Sequence, residues 1–545
     1  MTLQAKAPRR GALFTCIAAL LLGACSESPT APAAPRTAPS TIRAANTAAN
    51  FNGNIRIGVV PSATSIQIGS DAAWNIHDKS TGVLLMSGSG DAATVTLGSS
   101  ATIHENYRLQ TACTGDEAYR DSWVANVESQ GYVAYTEFVA GANCWRLFIG
   151  EFAPDASWSI RNTFRNEVIA KGLAGTDSFW KVVTFVEGST SYKVTHGADE
   201  VISTGPVVLD AGGATVRING SEYRGVAEVI VNSSGTLAGV NELPLEEYLY
   251  GVVPRELPPV PYGEPEAQKA QAVAARTYAL RGLGKRSADG YDLLPTTSDQ
   301  VYGGYSAERA VSTAAVDATR GIVAVKGGQL IDALFSSTTG GWTANNEEVY
   351  NSAPIDYLRS VPDEERGYAL VNVPSLEVFM NAANPRSLRA EHSGSFESDW
   401  SRYHRWTFEW TAQEISAVLS AAYGQPVGTV HEINVLQRGP SGRVMEIEFV
   451  TDAGRFYQTK DRIRSTLRYI NADGAMASLL STLFYIEPVM DSATNSVTGF
   501  RVYGGGWGHG VGMGQTGAVG MAGKGASYDA ILKHYYQGID LVAWY

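Results

Sequence analysis

The 545-residue sequence has little cysteine and a deficit of basic charge. Its four cysteines include no Cys-x-x-Cys pair and no Cys/His cluster, so we expect neither a bound metal nor another cofactor. Lysine and arginine total 42 against 54 acidic residues, which gives a net charge of −12. Because a nucleic-acid-binding protein needs a basic face, the composition argues against that class. Hydrophobic residues make up 44% of the chain, which is enough to form buried cores.

The N-terminus has the layout of a secretory signal, predicted over residues 1–24. Arg9 and Arg10 precede the apolar stretch GALFTCIAALLLGA, which is too short to span a bilayer. The following LLGAC resembles a bacterial lipobox, in which Cys25 would be lipidated; an ordinary signal peptide is the alternative. Ser26 stands where an aspartate would signal inner-membrane retention. We therefore expect an envelope protein with a lipid anchor, on the outer membrane facing the periplasm if the cell is Gram-negative.

Residues 25–50 are rich in Pro, Ala, Ser and Thr, and predict a disordered linker. Residues 51–104 read as short strands separated by Gly and Ser turns, and a similar pattern resumes at residue 174. We predict an α+β protein with a β-rich N-terminal unit, an insertion over residues 105–173, and a further region over residues 174–545.

The insertion reads as a strand, a helix, two strands and a second helix. This order resembles a SPOR domain, a small βαββαβ module that binds glycan strands stripped of their peptides; an unrelated α+β insert is the alternative. In such a sheet the first and third strands are adjacent and antiparallel. Cys113 ends the first and Cys144 begins the third, so the resemblance implies a disulfide between them in an exported protein.

The stretch PRELPPVPYGEPEAQKAQAVAARTYAL places one acid, Glu256, in a proline-rich turn before an alanine-rich helix. Pro265 can lie in the first turn of this helix, which we expect to run to about Arg281. Lys269 and Arg276 are seven residues apart, so they share one face of that helix. Both could point at one carboxylate or one anionic ligand; two solvated side chains are the alternative.

LPLEEYLYGVVPREL, followed by EAQKAQAVAARTYAL, resembles the core of SpoIID, a protein of the SpoIID/LytB family. Three further segments follow in the family's order, at residues 296–305, 319–349 and 506–541. The resemblance covers roughly residues 205–545, with its core motif over residues 205–325. It implies that residues 174–545 form a β-rich, multi-lobed catalytic region.

The resemblance implies a peptidoglycan lytic transglycosylase, which cuts between N-acetylmuramic acid and N-acetylglucosamine and leaves a 1,6-anhydro end. Glu256 falls on the family's catalytic glutamate, and Lys269 and Arg276 fall on its lysine and arginine. Most glycosidases need two carboxylates. Here one suffices, because the muramyl 6-hydroxyl attacks its own anomeric carbon and Glu256 serves first as acid and then as base. An apolar setting would raise the pKa of Glu256 for this task.

Other motif residues are expected to bind substrate, although loop-building roles are the alternative for most of them. Some family members bind zinc through His and Cys near TTSDQVY, but residues 291–305 here contain neither. The glycine-rich GGGWGHGVGMGQTG lacks the GK[ST] ending of a phosphate loop. The expected substrate-binding residues are Lys269, Arg276, Gln300, Tyr302, Ser336, Ser337, Trp507, His509 and Gln515.

Two other functions fit the same motifs. A non-catalytic protein related to LytB would bind peptidoglycan glycan strands and enhance a cell-wall amidase. A hydrolytic muramidase would need a second acid opposite Glu256, and the candidates for that acid are Glu246, Glu247, Asp299, Glu347 and Glu348. In each case the expected role is cell-wall remodelling or division.

Overall fold

The computed structural model describes residues 51–99, 102–139, 144–187, 190–363, 396–397, 400–471 and 474–545. The expected signal peptide, Cys25 and the linker lie outside the described residues. The described chain is a strand-rich mixture of strands and helices. Within it, no helix is both long and apolar enough to cross a membrane.

The chain begins with short strands whose side chains alternate between core and solvent. In the second and third strands, Ile66, Ile68, Trp74 and Ile76 point inward between exposed neighbours. This period of two is the one that the pleated backbone imposes. The strands are β1 (Asn54–Ala63), β2 (Ser65–Gly69), β3 (Ala73–Asp78), β4 (Leu84–Ser89) and β5 (Ala92–Ser99).

A separate unit follows, with its own four-stranded antiparallel sheet in the order β7-β8-β6-β9. Its two helices pack Trp123, Val127 and Val168 against Leu147 and Ile149 of the sheet. The elements, in βαββαβ order, are β6 (Thr102–Thr114), α1 (Glu117–Ser129), β7 (Ala134–Val139), β8 (Cys144–Phe152), α2 (Trp158–Ala170) and β9 (Phe179–Glu187).

The predicted end of this unit, at residue 173, is wrong. The strand FWKVVTFVE, which the sequence pattern grouped with the β-rich region, is β9 and pairs with β6 from Thr102↔Glu187 to Gln110↔Phe179. Alternation identifies a strand but does not tell which sheet it joins. The strands β6 and β8 are adjacent and antiparallel, and a disulfide joins Cys113 to Cys144 with their Cα atoms 5.7 Å apart.

After this unit the chain completes a β-sandwich. Its two six-stranded sheets have the orders β1-β16-β15-β12-β3-β4 and β11-β10-β5-β2-β13-β14. Residues from both sheets share one hydrophobic core, to which β10 gives Val194 and β12 gives Val207. The added strands are β10 (Ser191–His196), β11 (Asp199–Ser203), β12 (Val207–Asp210), β13 (Val216–Ile218), β14 (Ser221–Tyr223), β15 (Val226–Val231) and β16 (Leu237–Pro244).

A helical core follows the sandwich, and its central helix is α5 (Pro265–Arg281), with the bounds that the sequence predicts. Twelve of its 17 residues are buried, and its alanines contact two hydrophobic cores on opposite sides. Small side chains allow this close approach. The other elements here are α3 (Leu245–Glu256), α4 (Pro259–Tyr262), α6 (Ala310–Ala318), β17 (Ile322–Lys326), β18 (Gln329–Leu330), β19 (Phe335–Ser336) and α7 (Asn346–Val349).

Residues 406–504 form another strand-rich core around Trp410, Ile447, Phe449 and Phe484. The strands form small antiparallel sheets in the orders β20-β27-β26, β21-β22-β23 and β24-β25. The elements are β20 (Trp406–Thr411), α8 (Ala412–Tyr423), β21 (Val430–Arg438), β22 (Val444–Thr451), β23 (Gly454–Thr459), α9 (Arg462–Thr466), β24 (Arg468–Ile470), β25 (Met476–Ser478), β26 (Phe484–Met490) and β27 (Val497–Gly504).

The C-terminal segment returns to the helical core. It comprises β28 (Met513–Gly514), α10 (Gln515–Gly523), α11 (Tyr528–Tyr535) and β29 (Asp540–Ala543). Strand β29 pairs with β17, and β28 pairs in parallel with β19. The end of the chain therefore packs beside α3 and α5, although about 250 residues separate these segments in sequence.

A buried ion pair joins α3 to α5. The Nε and Nη2 atoms of Arg276 each donate to a carboxylate oxygen of Glu246 at 2.7 Å, and Arg276 is fully buried. The guanidinium also donates to the carbonyl oxygens of Val316 and Ile322. The expected role of Arg276 in binding substrate is therefore wrong, because its donors are used inside the core.

We predict that Arg276→Met lowers the free energy of unfolding by about 3–5 kcal/mol, because Glu246 is left as an unpaired buried charge. The double variant Glu246→Gln/Arg276→Met should lose less, since no charge remains uncompensated. Urea unfolding of the three proteins measures this. An Arg276→Met protein as stable as the wild type would contradict the structural role of the pair.

Candidate active site

Glu256 is the last residue of α3 and does not lie in the turn where the sequence pattern placed it. Its Oε1 atom accepts a hydrogen bond of 2.6 Å from the backbone N–H of Val301. Its Oε2 atom lies 3.4 Å from Nε2 of Gln515, at the start of α10. Both carboxyl oxygens are thus held by segments that are distant in sequence, which fixes the direction of the acid.

The proline-rich turn after Glu256 is anchored by Gln268 of α5. The Nε2 atom of Gln268 donates to the carbonyl oxygens of Leu257, at 2.8 Å, and Tyr262, at 3.0 Å. Its Oε1 atom accepts from the hydroxyl of Ser312. The amide nitrogen and the amide oxygen of Gln268 are thus both hydrogen-bonded inside the protein. Gln268 therefore ties both ends of the turn, and with them the residue that follows Glu256, to α5.

Burial raises the pKa of Glu256 to about 6, against the opposing effects of the Val301 N–H, the Gln515 amide and the charge of Arg255. Lys269 does not line the cavity around Glu256, and its Nζ lies 2.7 Å from Glu266 on the same helix. Its expected contact with substrate stays a prediction, because the side chain is still partly exposed.

The cavity in front of Glu256 has a volume of about 740 Å³. Among its described lining residues are two other acids, and each has a basic partner. Asp299 is paired with Lys285 and Arg286, and Asp461 is paired with Arg464. These cations contribute to a lowered pKa of Asp299, whose burial acts in the opposite direction. Glu256 is therefore the one lining acid, among those described, without an ion-pair partner.

The remaining candidates for a second acid are engaged elsewhere. Glu246 pairs with Arg276, and Glu347 pairs with Arg359 at 2.5 Å. Glu348 accepts from the N–H of Asn345 and from the hydroxyl of Ser441. None of these acids, nor Glu247, lines the cavity that contains Glu256.

Two segments form one wall of the cavity: FSSTTGG (residues 335–341) and GWGHG (residues 506–510). Their backbones pair at Thr338 and Trp507, with N–H···O distances of 3.0 and 2.8 Å. Ser336 and Ser337 line the cavity, and the Ser336 hydroxyl also accepts from the N–H of Gly510. Gly510 has φ of +76°, and a Cβ atom there would lie 2.1 Å from Nη2 of Arg443. The motif glycines thus allow close packing behind the wall.

Two aromatic side chains of that wall face the cavity. Trp507 is 41% exposed and lies 4.5 Å from the ring of Tyr403. Burial lowers the pKa of His509 to about 4, so its imidazole is neutral at physiological pH. The Nδ1 atom of His509 accepts from the N–H of Val511. Trp507 is therefore available for stacking on a ring, and His509 both lines the cavity and supports the loop.

Gln300 and Tyr302 do not reach the cavity, which corrects the expectation that they bind sugar. Gln300 is fully buried and contacts the hydroxyl of Tyr248 and the carbonyl oxygen of Ala275. The hydroxyl of Tyr302 donates to Asn241 at 2.9 Å. The residue between them, Val301, presents its N–H to Glu256, so the motif acts through its backbone.

A buried cluster behind the wall holds it in place, and no sequence motif predicts this cluster. The carboxylate of Glu397 accepts from the N–H of Gly340 at 2.7 Å, from the hydroxyl of Thr516 at 2.7 Å and from Nδ1 of His404 at 2.9 Å. Burial opposes ionisation of Glu397, but the hydrogen bonds from His404, Thr516 and the Thr339 N–H, together with the charge of His404, lower its pKa below the usual range. Glu397 thereby connects the FSSTTGG loop to the residue after Gln515.

Among the described residues, no three His, Cys, Asp or Glu side chains lie close enough together to hold a metal ion. The site offers a buried carboxyl that can exchange a proton near pH 6, polar groups on one wall, and an exposed tryptophan. Such an arrangement suits acid–base chemistry on a polar, ring-shaped substrate.

Two segments of the chain that contribute to the site match two different families. Residues 233–325, which carry Glu256, α5 and Val301, match the family described as Stage II sporulation protein. Residues 344–512 match a Domain of unknown function (DUF8618). This second segment supplies Asp461, Arg464, Trp507 and His509 to the cavity.

Three relatives cover much of the chain. A protein of Brachyspira hyodysenteriae is 31% identical over 326 residues, which are 60% of this chain and 73% of that protein. The Amidase enhancer of Bacillus subtilis is 29% identical over 306 residues, 54% of this chain and 40% of the relative. Stage II sporulation protein D of the same organism is 30% identical over 319 residues, 55% of this chain and 75% of the relative. These matches confirm the resemblance found in the sequence motifs: the chain belongs to the SpoIID/LytB family.

Proposed function

We propose that the protein is a peptidoglycan lytic transglycosylase that cleaves glycan strands between N-acetylmuramic acid and N-acetylglucosamine. The observation that supports this most strongly is the single unpaired acid. Glu256 has a pKa of about 6, and the other described acids of the cavity are ion-paired. A retaining or inverting hydrolase needs a second free carboxylate, whereas an intramolecular attack needs none.

The proposed reaction uses Glu256 twice. Its protonated form donates to the glycosidic oxygen as the bond from the muramyl anomeric carbon breaks. The resulting carboxylate then takes the proton of the muramyl 6-hydroxyl as that oxygen bonds to the same carbon, which gives the 1,6-anhydro ring and restores the acid. The Val301 N–H and the Gln515 amide favour the carboxylate between these two steps.

Mass spectrometry of the products tests this proposal. A soluble protein lacking residues 1–50 would be incubated with amidase-treated peptidoglycan, and we expect fragments with anhydro-muramic ends. Glu256→Gln should reduce their formation by at least about 100-fold, because it removes the proton donor. The matched control is Glu247→Gln, the same substitution on the same helix but outside the cavity, which should retain activity. Fragments with reducing ends would indicate hydrolysis and overturn the proposal.

The pH dependence of cleavage provides a second prediction. Glu256 must be protonated to act as acid, so kcat should fall as the pH rises through about 6. The Gln515 amide lowers the pKa of Glu256 by donating to the carboxylate. Gln515→Met should therefore raise that pKa and move the fall in kcat upward by about half a pH unit. An unchanged or downward-shifted profile would contradict the assigned contact.

The second candidate function is that of a non-catalytic partner of an amidase. It is favoured by one observation, the similarity to the Amidase enhancer of Bacillus subtilis. Such a protein would bind glycan strands in the same cavity and present them to the amidase. If the wild type and Glu256→Gln bind glycan strands equally and neither cleaves them, this function replaces the first.

We also propose that residues 102–187 act as a SPOR-like glycan-binding module. The βαββαβ order and the disulfide between β6 and β8 support this. Together with an anchor at Cys25 in the cell envelope, the module would hold peptide-free glycan near the cavity and raise its effective concentration.

A further inference from the structure

Arg255 directly precedes Glu256, and its positive charge favours the ionised form of that acid. Its side chain is exposed, and it forms no side-chain hydrogen bond or ion pair of 4 Å or less with the described residues. Lys269 and Arg276, the two cations expected from the motif, are instead paired with Glu266 and Glu246. Of these three cations, Arg255 is therefore the one whose charge is available to a ligand beside Glu256.

Arg255 lines two cavities at once. One is the cavity of Glu256, and the other is a cavity of about 580 Å³ that is also lined by Pro259 and Val260 of the proline-rich turn. Pro258 lines both cavities as well, so they lie next to each other. The second cavity is lined by two arginines, Arg255 and Arg309, and by no acidic residue among those described. In a protein with a net charge of −12, this local excess of positive charge favours an anion.

The fold holds both arginines in position. Gly303 lies under the Arg255 side chain, since a Cβ atom there would be 2.9 Å from Cγ and 3.0 Å from Cδ of Arg255. Arg309 uses its Nη1 atom to donate to the carbonyl oxygens of Ser306, at 3.0 Å, and Glu308, at 2.7 Å. No ion pair to Arg309 is formed by the described residues. The aliphatic part of Arg255 thus packs against Gly303, and backbone carbonyls bind the guanidinium of Arg309 without neutralising its charge.

We propose that Arg255, supported by Arg309, forms a carboxylate-binding subsite that recognises the free lactyl carboxylate of a peptide-free muramyl residue. This inference rests on the proposed function, because it assigns a substrate determinant to the same site. The lactyl group hangs from the oxygen on carbon 3 of the ring whose anomeric carbon faces Glu256, so a cation beside that acid can reach it. A stem peptide converts the carboxylate into a neutral amide, which removes the charge that the arginines attract.

Binding to two forms of the same glycan tests the subsite. One form is amidase-treated glycan with free lactyl carboxylates, and the other is the same material with those carboxylates coupled to methylamine. Calorimetry would use the Glu256→Gln protein, so that no cleavage occurs. The data would be fitted with two classes of site, because residues 102–187 are also proposed to bind glycan. The comparison concerns the class of site whose affinity is weakened by Trp507→Phe or Trp507→Ala. We expect the carboxylate form to bind about tenfold more tightly, since a charge-assisted contact is lost in the amide.

Adding Arg255→Gln to that protein should bring the two dissociation constants together, whereas Arg255→Lys should keep part of the preference. The matched control is Arg217→Gln, which removes an arginine that pairs with Asp71 on the β-sandwich, and it should keep the tenfold preference. Equal affinity for both forms before Arg255 is changed, or a preference that survives Arg255→Gln, would overturn the inference. Because binding is measured without turnover, these outcomes are distinct from a failure of the proposed cleavage.

Discussion

The buried pair between Glu246 and Arg276 is the contact on which the arrangement of the site depends. It fixes the first turn of α3 against α5, and Glu256 lies at the other end of the same helix. The carboxylate of Glu246 also accepts from the N–H of Gly321 and from the hydroxyl of Tyr545 near the C-terminus. A buried charge bound from several sides tolerates little displacement, because each lost donor leaves it less compensated. This constraint holds α3 in one position.

The second constraint acts from the opposite side of the cavity. The wall of Ser336, Ser337 and Trp507 is tied to the start of α10 through Glu397, which binds both Gly340 and Thr516. Gln515 is therefore placed against Glu256 by a carboxylate that is itself fully buried. Residues from three distant parts of the chain meet in this way at one acid, and the segment matching a domain of unknown function supplies part of the wall.

Much of this arrangement follows from local sequence. The alanine-rich composition and Pro265 predict a helix, and α5 is found there. The motif predicts Glu256 as the acid, and the structure places this residue at the cavity. The roles of Arg276, Gln300 and Tyr302 could not be predicted, because a shared helix face or motif does not reveal whether a polar side chain meets ligand or another buried group. The partner of Arg276 lies 30 residues away on another helix. Similarly, the pattern of FWKVVTFVE predicts a strand but not its partner, β6.

The proposed role of Glu256 requires that its carboxyl is protonated before the glycosidic bond breaks. Infrared difference spectroscopy of the wild type against Glu256→Gln, recorded across a pH titration, would isolate the carbonyl band of this single protonated carboxyl. We expect the band to disappear with a midpoint near pH 6, as burial without an ion-pair partner requires. A midpoint at or below the ordinary value for glutamate, about 4.3, would show that Glu256 is already ionised where it must donate a proton, and would contradict its role as the acid.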